Sequence, residues 1–253
     1  MLSEERRREI LEMLQSEGRV LVGALASKFR TSQITIRKDL EFLQHEGQLE
    51  RTHGGALPVK TGALRDRSIQ EKEQMNRREK LRIAEAAGHM IRQGQVIILD
   101  SGTTTTAIAR SVRNFKSLTV ITNATNIAAE LADTSVEVIL TGGVLRKNSF
   151  SLVGPLAEES LKKLSADLLF LAVDGFDVRY GLTTPNVLEA RVNRVMAESA
   201  RRVVVVCDSS KFGQRSMSLI MPTSAVHETI TDKRIPRKDL KVLREADVEV
   251  KLV

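Results

Sequence analysis

The sequence predicts a two-domain protein of the α/β class, with a small helical domain at the N-terminus and a larger domain built on a parallel β-sheet. A chain of 253 residues is long enough to form two hydrophobic cores. Residues 25–43 have the pattern of two short helices joined by a tight turn, and apolar runs alternate with helix-like segments after residue 76. We therefore expect domains at residues 1–57 and 76–253, joined by a linker at 58–75.

The N-terminal domain is predicted to begin with an amphipathic helix at residues 4–17, which Gly18 ends. Three consecutive arginines in this helix, residues 6–8, are interpreted as a solvated face rather than as phosphate contacts. A second helix follows, with Leu25 and Phe29 on its apolar side. Both helices would bury their apolar sides in one small core.

A third helix is predicted after Ser32, whose side-chain oxygen can cap its first turn. Apolar residues recur at i, i+4 and i+7 and define one buried stripe: Ile36, Leu40 and Leu43. The opposite side carries an amide, a hydroxyl and two cations, which suit base edges in a DNA major groove and the flanking phosphates. The DNA-contacting residues predicted for this helix are Ser32, Gln33, Thr35, Arg37 and Lys38.

A hairpin is predicted after the third helix, with Gly47 ending the helix and Gly54-Gly55 allowing a tight reversal of the chain. Three helices followed by a hairpin are the plan of a winged helix-turn-helix domain. Arg51 and His53 on the hairpin could reach the DNA backbone or the minor groove. A solvated arginine and a surface histidine are equally acceptable interpretations.

The N-terminal residues resemble a known family at this point. The run ALASKFRTSQITIRKDLEFLQHEGQLERTHGGAL resembles the N-terminal signature of the DeoR family of bacterial sugar-metabolism repressors. The chain departs from that signature at Thr31, where the family usually has a hydrophobe, and at Lys38, where a second arginine is common. Lysine keeps the charge but lacks the guanidinium fork, so a base contact is carried over less directly to Lys38.

Charge and composition exclude several classes of protein. The net charge is +7, but residues 1–57 contain nine basic and nine acidic residues, so DNA binding is inferred from the local pattern. The basic residues of the linker are interpreted as keeping it soluble. With no run of 18 apolar residues and no signal-peptide pattern, a cytoplasmic protein without a membrane partner is expected. The single cysteine, Cys207, excludes an internal disulfide, and no metal site or cofactor is predicted.

The second domain shows the alternation of a parallel α/β sheet. Strands are predicted at residues 96–99, 118–122, 136–140, 168–173, 202–207 and 248–253. Helices are predicted between most of them, including residues 107–112, 125–131, 156–164, 187–200 and 237–245. Nearly continuous apolar strands with helical crossovers indicate a sheet that is covered on both faces.

Polar residues follow the predicted strands at the edge where ligands bind in such sheets. Asp100 ends the first strand and leads into a turn with a glycine and several hydroxyls before the next helix: Ser101, Gly102, Thr103, Thr104 and Thr105. Hydroxyls beside free N–H groups at a helix N-terminus form a cradle that suits phosphate. A turn capped by threonines is the alternative, and the GxxxxGK[ST] pattern of a P-loop is absent.

The other strand ends carry groups that suit a sugar. Carboxylates for sugar hydroxyls, turn glycines, an amide and a cation are predicted to converge in one crevice: Thr122, Asn123, Gly142, Gly143, Asp174, Asp177, Glu189 and Lys211. Each residue also has a structural interpretation, because Asn and Asp cap helices, glycines form turns and Asp–Lys pairs occur on surfaces. Their convergence favours an effector site for a phosphorylated sugar.

The second domain also resembles the DeoR family, in its C-terminal sensor domain. The resemblance is carried by DSGTT, TN, TGG, VDGF, the glutamate of LEARVNRVM, and DSSKF. The sensor in turn resembles ribose-5-phosphate isomerases, which carry a DGAD-like loop where this chain has DGFD. The resemblance implies a transcriptional repressor of a carbohydrate operon, double-stranded operator DNA and a phosphorylated sugar as partners, and a homodimer or homotetramer. The amino-sugar regulators of the family have the most similar motifs.

Two other functions were weighed against a regulator. An isomerase would need a positioned base and a group that stabilises an enediolate, and the lysine-glycine loop that follows DGAD in isomerases is VRYGLTTPN here. The chain is therefore not expected to be an enzyme, and no catalytic residue is assigned. A purely structural dimerisation domain would explain the apolar strands but would leave the polar strand ends without a role.

Overall fold

The computed structural model describes residues 3–46, 48–58 and 66–253, and Gly47, predicted to end the third helix, lies outside them. The chain divides into two compact units, residues 1–62 and 63–253. Among the described residues, no helix is long and apolar enough to cross a membrane.

The N-terminal unit has the predicted helices and hairpin. Its elements in order are α1 (Ser3–Glu17), β1 (Val20–Leu21), α2 (Val22–Lys28), α3 (Gln33–His45), β2 (Leu49–Thr52) and β3 (Gly55–Pro58). The predicted stripe of α3 is buried with Ile10 and Leu25 in one core. This is a winged helix-turn-helix, as predicted, except that the sequence did not indicate the two-residue strand β1, which makes the sheet order β1-β3-β2.

The two glycines of the hairpin have different roles from the one predicted. The reversal lies at His53-Gly54, whereas Gly55 is already in strand β3 and pairs with Leu21. A Cβ atom at residue 55 would lie 1.9 Å from the carbonyl oxygen of Val20, but one at residue 54 would meet nothing within 4 Å. Gly55 is therefore required by the close approach of β1 rather than by the turn.

The second unit is built on a seven-stranded, fully parallel sheet. Its first half contains α4 (Ile69–Gln74), α5 (Arg77–Gly88), β4 (Val96–Leu99), α6 (Thr103–Ser111), β5 (Thr119–Thr122), α7 (Thr125–Leu131), β6 (Glu137–Leu140), β7 (Val144–Arg146), β8 (Ser151–Val153) and α8 (Pro155–Lys162). The second half contains β9 (Ala166–Leu171), β10 (Gly175–Asp177), β11 (Gly181–Thr184), α9 (Val187–Glu198), β12 (Ala200–Val206), β13 (Ser218–Met221), β14 (Glu228–Thr231), α10 (Arg237–Glu245) and β15 (Glu249–Leu252). The strand order of the large sheet is β15-β14-β12-β9-β4-β5-β6.

The predicted parallel sheet is confirmed, and its two faces bury separate cores. In the central strand β9, Leu169 and Leu171 belong to one hydrophobic cluster, whereas Leu168 and Phe170 belong to the other. All six predicted strands lie in this sheet. The seventh, β14, reads ETIT and was not predicted, because its glutamate and threonines conceal a strand that is fully buried.

Two small antiparallel sheets were also missed. Strands β10, β11 and β13 form one, and β7 and β8 form the other. These strands are three or four residues long, which is too short for a clear pattern of alternation. Helix α6 begins at Thr103 rather than at residue 107, so the threonines predicted as a loop form its first turn.

Candidate functional site

The predicted DNA-reading face of α3 is exposed. Ser32 caps the helix by accepting a hydrogen bond from the Thr35 amide at 3.1 Å, and the two hydroxyls lie 2.9 Å apart. The side chains of Gln33, Arg37 and Lys38 are exposed, and within the described residues neither cation has an ion pair. The face therefore presents an amide and two available cations, while the Thr35 hydroxyl is already engaged with the cap.

Two of the three arginines interpreted as a solvated face have a different role. Arg6 and Arg7 of α1 donate to the two oxygens of Asp39 in α3, at 2.6 Å and 2.8 Å, and the Asp39 side chain is only 3% exposed. The Arg7 guanidinium also stacks over the ring of Phe42 at 3.7 Å. The interpretation was wrong for these two residues, because an arginine on a charged helix looks solvated unless the buried carboxylate facing it is known.

The two wing residues have different environments. Arg51 in β2 forms an ion pair with Glu41 of α3 at 2.9 Å. His53 lies in the exposed turn of the hairpin. Arg51 thus joins the wing to the helix, and any phosphate contact would compete with Glu41.

The second unit contains a pocket at the carboxyl ends of the central strands β4, β9 and β12. Residues that follow these strands line it, together with α4, α5 and the start of α9. The pocket is open to solvent, and its empty space is about 760 Å³ when the solvent at its mouth is included. Eight of the predicted effector residues converge here: Asp100, Ser101, Gly102, Thr103, Thr104, Asp174, Glu189 and Lys211.

The N-terminus of α6 opens into this pocket. The amide of Ser101 donates to the Asp100 carboxylate at 2.6 Å, and the first N–H bonded within the helix is that of Thr106, to the Gly102 carbonyl at 2.9 Å. A Cβ atom at residue 102 would lie 2.7 Å from that of Ala172. Gly102 therefore allows α6 to start close to the end of β9, and the N–H groups of the first turn are available for an anion.

Several predicted effector residues do not line the pocket. The hydroxyl of Thr105 donates to the Gly102 carbonyl at 2.9 Å, and that of Thr122 donates to the Leu99 carbonyl at 2.7 Å. Asp177 accepts from Arg215 at 2.7 Å and lies on the β10 hairpin. The structure likewise places these residues outside the pocket: Asn123, Gly142 and Gly143. The sequence located the strand ends but not the direction of each side chain.

Glu189 is the most heavily bonded carboxylate of the pocket. It accepts from the hydroxyls of Ser149 at 2.5 Å, Ser151 at 2.9 Å and Thr184 at 3.2 Å. It also forms an ion pair with Arg146 of β7, which is bonded to Asp66 as well. Glu189 thus fixes α9, the β7–β8 hairpin and β11 to one another at the pocket wall.

Asp174 and Lys72 form an ion pair inside the pocket, with 2.6 Å between the Lys72 ammonium and the carboxylate. Burial alone would raise the pKa of Asp174, but Lys72 and Lys211 hold it below its usual range. Burial likewise opposes the charge of Lys72, and Asp174 raises its pKa above the ordinary value. Lys72 lies in the segment predicted as a linker, where its charge was interpreted as solubilising; that interpretation was wrong for this residue.

Lys80 of α5 is a third lysine of the pocket, only 7% exposed. Its ammonium donates to the Lys72 carbonyl. Burial lowers the pKa of Lys80 to about 8; Asp208 opposes this shift, and Lys211 adds to it. Lys72 and Lys80 were not predicted, because their burial depends on elements distant in sequence.

Two further groups complete the polar lining. Asp100 is 1% exposed, and burial, followed by the charge of Glu189, raises its pKa well above the ordinary value. A raised pKa favours the protonated form of the carboxyl group, and that form can donate a hydrogen bond. Asn76, with a left-handed backbone (φ 49°), donates to Asp208 at 2.9 Å. The pocket thus combines three lysines, a helix N-terminus and carboxyl groups, which can hold a small anion that carries hydroxyls.

A helix-turn-helix with an exposed polar face, combined with an α/β unit that holds an anion-suited pocket, defines a DNA-binding regulator with a sensor domain. Residues 6–61 match the DeoR-like helix-turn-helix domain, and residues 75–233 match the DeoR C-terminal sensor domain. The chain belongs to the DeoR family of transcriptional regulators.

Individual relatives agree with this assignment over almost the whole chain. An aga operon transcriptional repressor of Escherichia coli O157:H7 is 42% identical over 251 residues, 98% of this chain and 93% of the relative. The regulator GlpR of Haloferax volcanii is 39% identical, covering 99% and 98%. The glycerol-3-phosphate regulon repressor of Escherichia coli K12 is 30% identical and covers both chains fully. The protein is a DNA-binding transcriptional repressor and not an enzyme.

One of the similar solved structures matches the chain over about half its length. The ribose 5-phosphate isomerase A of Methanocaldococcus jannaschii matches 54% of this chain and 55% of its own, with 17% identity and a TM-score of 0.41.

Proposed function

We propose that this protein represses a carbohydrate catabolic operon in the cytoplasm, and that a phosphorylated sugar bound in the pocket of the second unit controls its affinity for operator DNA. The observation that carries the proposal is the convergence of Lys72, Lys80 and Lys211 on the N-terminus of α6. Three cations and a helix N-terminus at one edge of a parallel sheet are the chemistry that binds a phosphate. The names of the relatives support a carbohydrate-derived effector.

The phosphate is assigned to the α6 end of the pocket. Lys80 and Lys211 have no ion pair in the part of the chain that the structure describes, so their charge is available to a ligand. The N–H groups of Thr103 and Thr104, with the Ser101 hydroxyl, would supply hydrogen bonds to the phosphate oxygens. A phosphate dianion would bind more strongly here than a neutral sugar, because it pairs with cations that are already partly buried.

The sugar hydroxyls are assigned to the carboxyl groups of the pocket. Asp174 can accept from a hydroxyl, and Asp100, whose pKa burial raises, is the second carboxyl group assigned to them. Glu189 already accepts three hydroxyl hydrogen bonds and an arginine, so its role is to hold the wall in place. An effector with hydroxyls beyond its phosphate therefore fits better than a phosphate alone.

At the DNA end, we assign Gln33, Arg37 and Lys38 to the operator, with Arg51 and His53 on the flanking backbone. The exposure of Gln33, Arg37, Lys38 and His53 supports the assignment, whereas Arg51 is half-buried and paired with Glu41. One winged helix covers a short stretch of DNA, and a symmetric pair doubles the contacts on two half-sites. We infer that the protein acts as a homodimer or a homotetramer.

The test of the effector site is a calorimetric titration of the full chain with ribose 5-phosphate, glucose 6-phosphate and glucosamine 6-phosphate, and with the three free sugars. At least one phosphorylated sugar should bind and change the affinity of the protein for its own promoter DNA, whereas its free sugar should not. Lys211→Ala should weaken binding of the phosphorylated sugar by roughly ten- to a hundredfold, because it removes one charge-assisted hydrogen bond worth about 1.5–3 kcal/mol.

Lys162→Ala is the matched control, because Lys162 is an exposed lysine in α8 outside the pocket. It should leave the affinity unchanged. Equal weakening by both variants would indicate only a general loss of positive charge. If no phosphorylated sugar binds while the full chain still binds promoter DNA, the assignment of the pocket is wrong.

A further inference from the structure

One segment of the pocket wall lies next to the DNA-binding unit in the sequence. Residues 66–76, called the strap here, contain the short helix α4 and begin eight residues after Pro58. Most of the strap, residues 66–74, lies outside both matched family domains. It nevertheless contributes Ile69, Lys72 and Met75 to the pocket lining.

Besides the buried side chain of Ile69, several polar contacts attach the strap to the sensor. Lys72 pairs with Asp174 at 2.6 Å, and its carbonyl accepts from the Lys80 ammonium. Asp66 pairs with Arg146, and the Ile69 amide donates to the Asn148 carbonyl at 2.7 Å. Polar contacts of this kind can be exchanged for contacts with a polar ligand at a small net change in free energy.

Two of these contacts use the same groups that an effector would need. The Lys72 ammonium occupies the Asp174 carboxylate, and the Lys80 ammonium is directed at the backbone of the strap. A phosphate that draws Lys72 and Lys80 toward itself therefore competes with both contacts. The attachment of the strap is weakened when these lysines turn to a ligand.

We propose that the strap is part of the effector site and a switch: effector binding exchanges the Lys72–Asp174 ion pair for a Lys72–phosphate contact and an Asp174–hydroxyl contact, and the strap then moves. The movement reaches the DNA-binding unit because the strap is the part of the sensor that follows it directly along the chain. This inference rests on the proposed function and adds the means by which the pocket controls DNA binding.

The exchange requires both chemical groups in one molecule. Inorganic phosphate can take Lys72 but would leave the buried Asp174 carboxylate without its ion pair, with only the charge of Lys211 near it, which is unfavourable. A polyol can reach Asp174 but offers nothing to the released ammonium. Only a molecule with a phosphate and a hydroxyl satisfies both Lys72 and Asp174 at once. Neither inorganic phosphate nor a polyol alone should therefore move the strap.

The first test is amide hydrogen exchange of the full chain with glycerol 3-phosphate, and with glycerol and inorganic phosphate as its two halves, each at 10 mM. Glycerol 3-phosphate should accelerate exchange in residues 69–76 at least threefold, and each half alone should change it less than 1.5-fold. Protection of the Ser101–Thr104 amides by glycerol 3-phosphate with an unchanged strap would overturn the switch while leaving the effector site intact.

The second test needs no ligand, so it decides the question even if glycerol 3-phosphate does not bind. Asp66→Asn removes the negative charge from the ion pair between the strap and Arg146, and Asp66 lies outside the pocket lining. The matched control is Glu73→Gln, the same change at an exposed strap residue whose pair with Arg110 is 3.5 Å long. Asp66→Asn should accelerate exchange in the strap at least threefold and change affinity for promoter DNA at least threefold, relative to the control.

Equal DNA affinity of the two variants, with faster exchange in the strap of Asp66→Asn, would show that the strap moves without controlling DNA binding. That result would overturn the switch. It would not affect the calorimetric evidence for or against a phosphorylated sugar, so the two proposals fail separately.

Discussion

Asp39 provides the sharpest test of how the recognition helix α3 is held in place. Its carboxylate accepts from Arg6 and Arg7 at 2.6 Å and 2.8 Å and is almost completely buried. In Asp39→Asn, one oxygen is replaced by an NH₂ group that faces an arginine donor, so one charge-assisted hydrogen bond is lost and the other is weakened. The lost hydrogen bond costs about 1.5–3 kcal/mol and the weakened one costs less, so together they lower the free energy of unfolding by roughly 2–4 kcal/mol.

Solvent reduces this figure somewhat. The side chains of Arg6 and Arg7 are 12% and 24% exposed, so each can turn toward water when its partner is lost. We expect a net destabilisation of about 2–3 kcal/mol in the N-terminal unit. For a domain of this size, 1 kcal/mol corresponds to about 4–8 °C, which predicts a decrease in Tm of roughly 10–20 °C.

Differential scanning calorimetry of the full chain measures this decrease in Tm, because two compact units can unfold in separate transitions. The transition of the N-terminal unit should move and that of the sensor should not. Glu12→Gln is the control, since its pair with Arg8 is 3.7 Å long and exposed on both sides. If Asp39→Asn shifts neither transition by more than about 2 °C relative to that control, the argument that Asp39 fixes α3 on α1 is refuted.

Three other predictions concern DNA binding, pH and folding. Arg37→Ala should weaken specific binding to promoter DNA by about 1–3 kcal/mol and should weaken non-specific DNA binding less, as measured by fluorescence anisotropy. Equal losses of specific and non-specific binding would mean that Arg37 contacts a phosphate rather than a base. Burial lowers the pKa of Lys80 to about 8, and a bound anionic effector would raise it. The calorimetric affinity for the phosphorylated sugar should therefore fall as the pH rises from 7 to 9.5. Lys80→Arg should remove this pH dependence, because arginine stays charged over the whole range. Gly55→Ala should destabilise the N-terminal unit in calorimetry, because its Cβ would meet the Val20 carbonyl, whereas Gly54→Ala should be tolerated.

Local patterns were sufficient for the recognition helix and for most of the sheet. Ser32 and the α3 stripe are set by contacts three to seven residues apart, which a sequence displays directly. The four inner apolar strands, β4, β5, β9 and β12, were visible because they are largely buried on both faces. Strand β14 was missed because a glutamate and two threonines are buried there, and only neighbouring strands can satisfy that burial.

The site was predicted in outline and not in detail. Strand ends located Asp100, Asp174 and Lys211 correctly at one pocket, because parallel strands finish at the same edge of the sheet. Lys72 and Lys80 could not be found in this way, since their partners lie about a hundred residues away in the chain. Whether a residue beyond a strand end faces the pocket depends on the path of the following loop, which no local pattern contains.

The strand order of the sensor has a consequence during synthesis of the chain. Its central pair, β4 and β9, joins residues about 70 positions apart, as in Ile97 and Leu168, and β9 then needs β12 on its other side. The winged helix needs only its own residues, and domains generally fold as units in the order in which they leave the ribosome. A nascent chain should therefore have a folded DNA-binding domain before the pocket exists. A product truncated before β12 would be unable to respond to the effector.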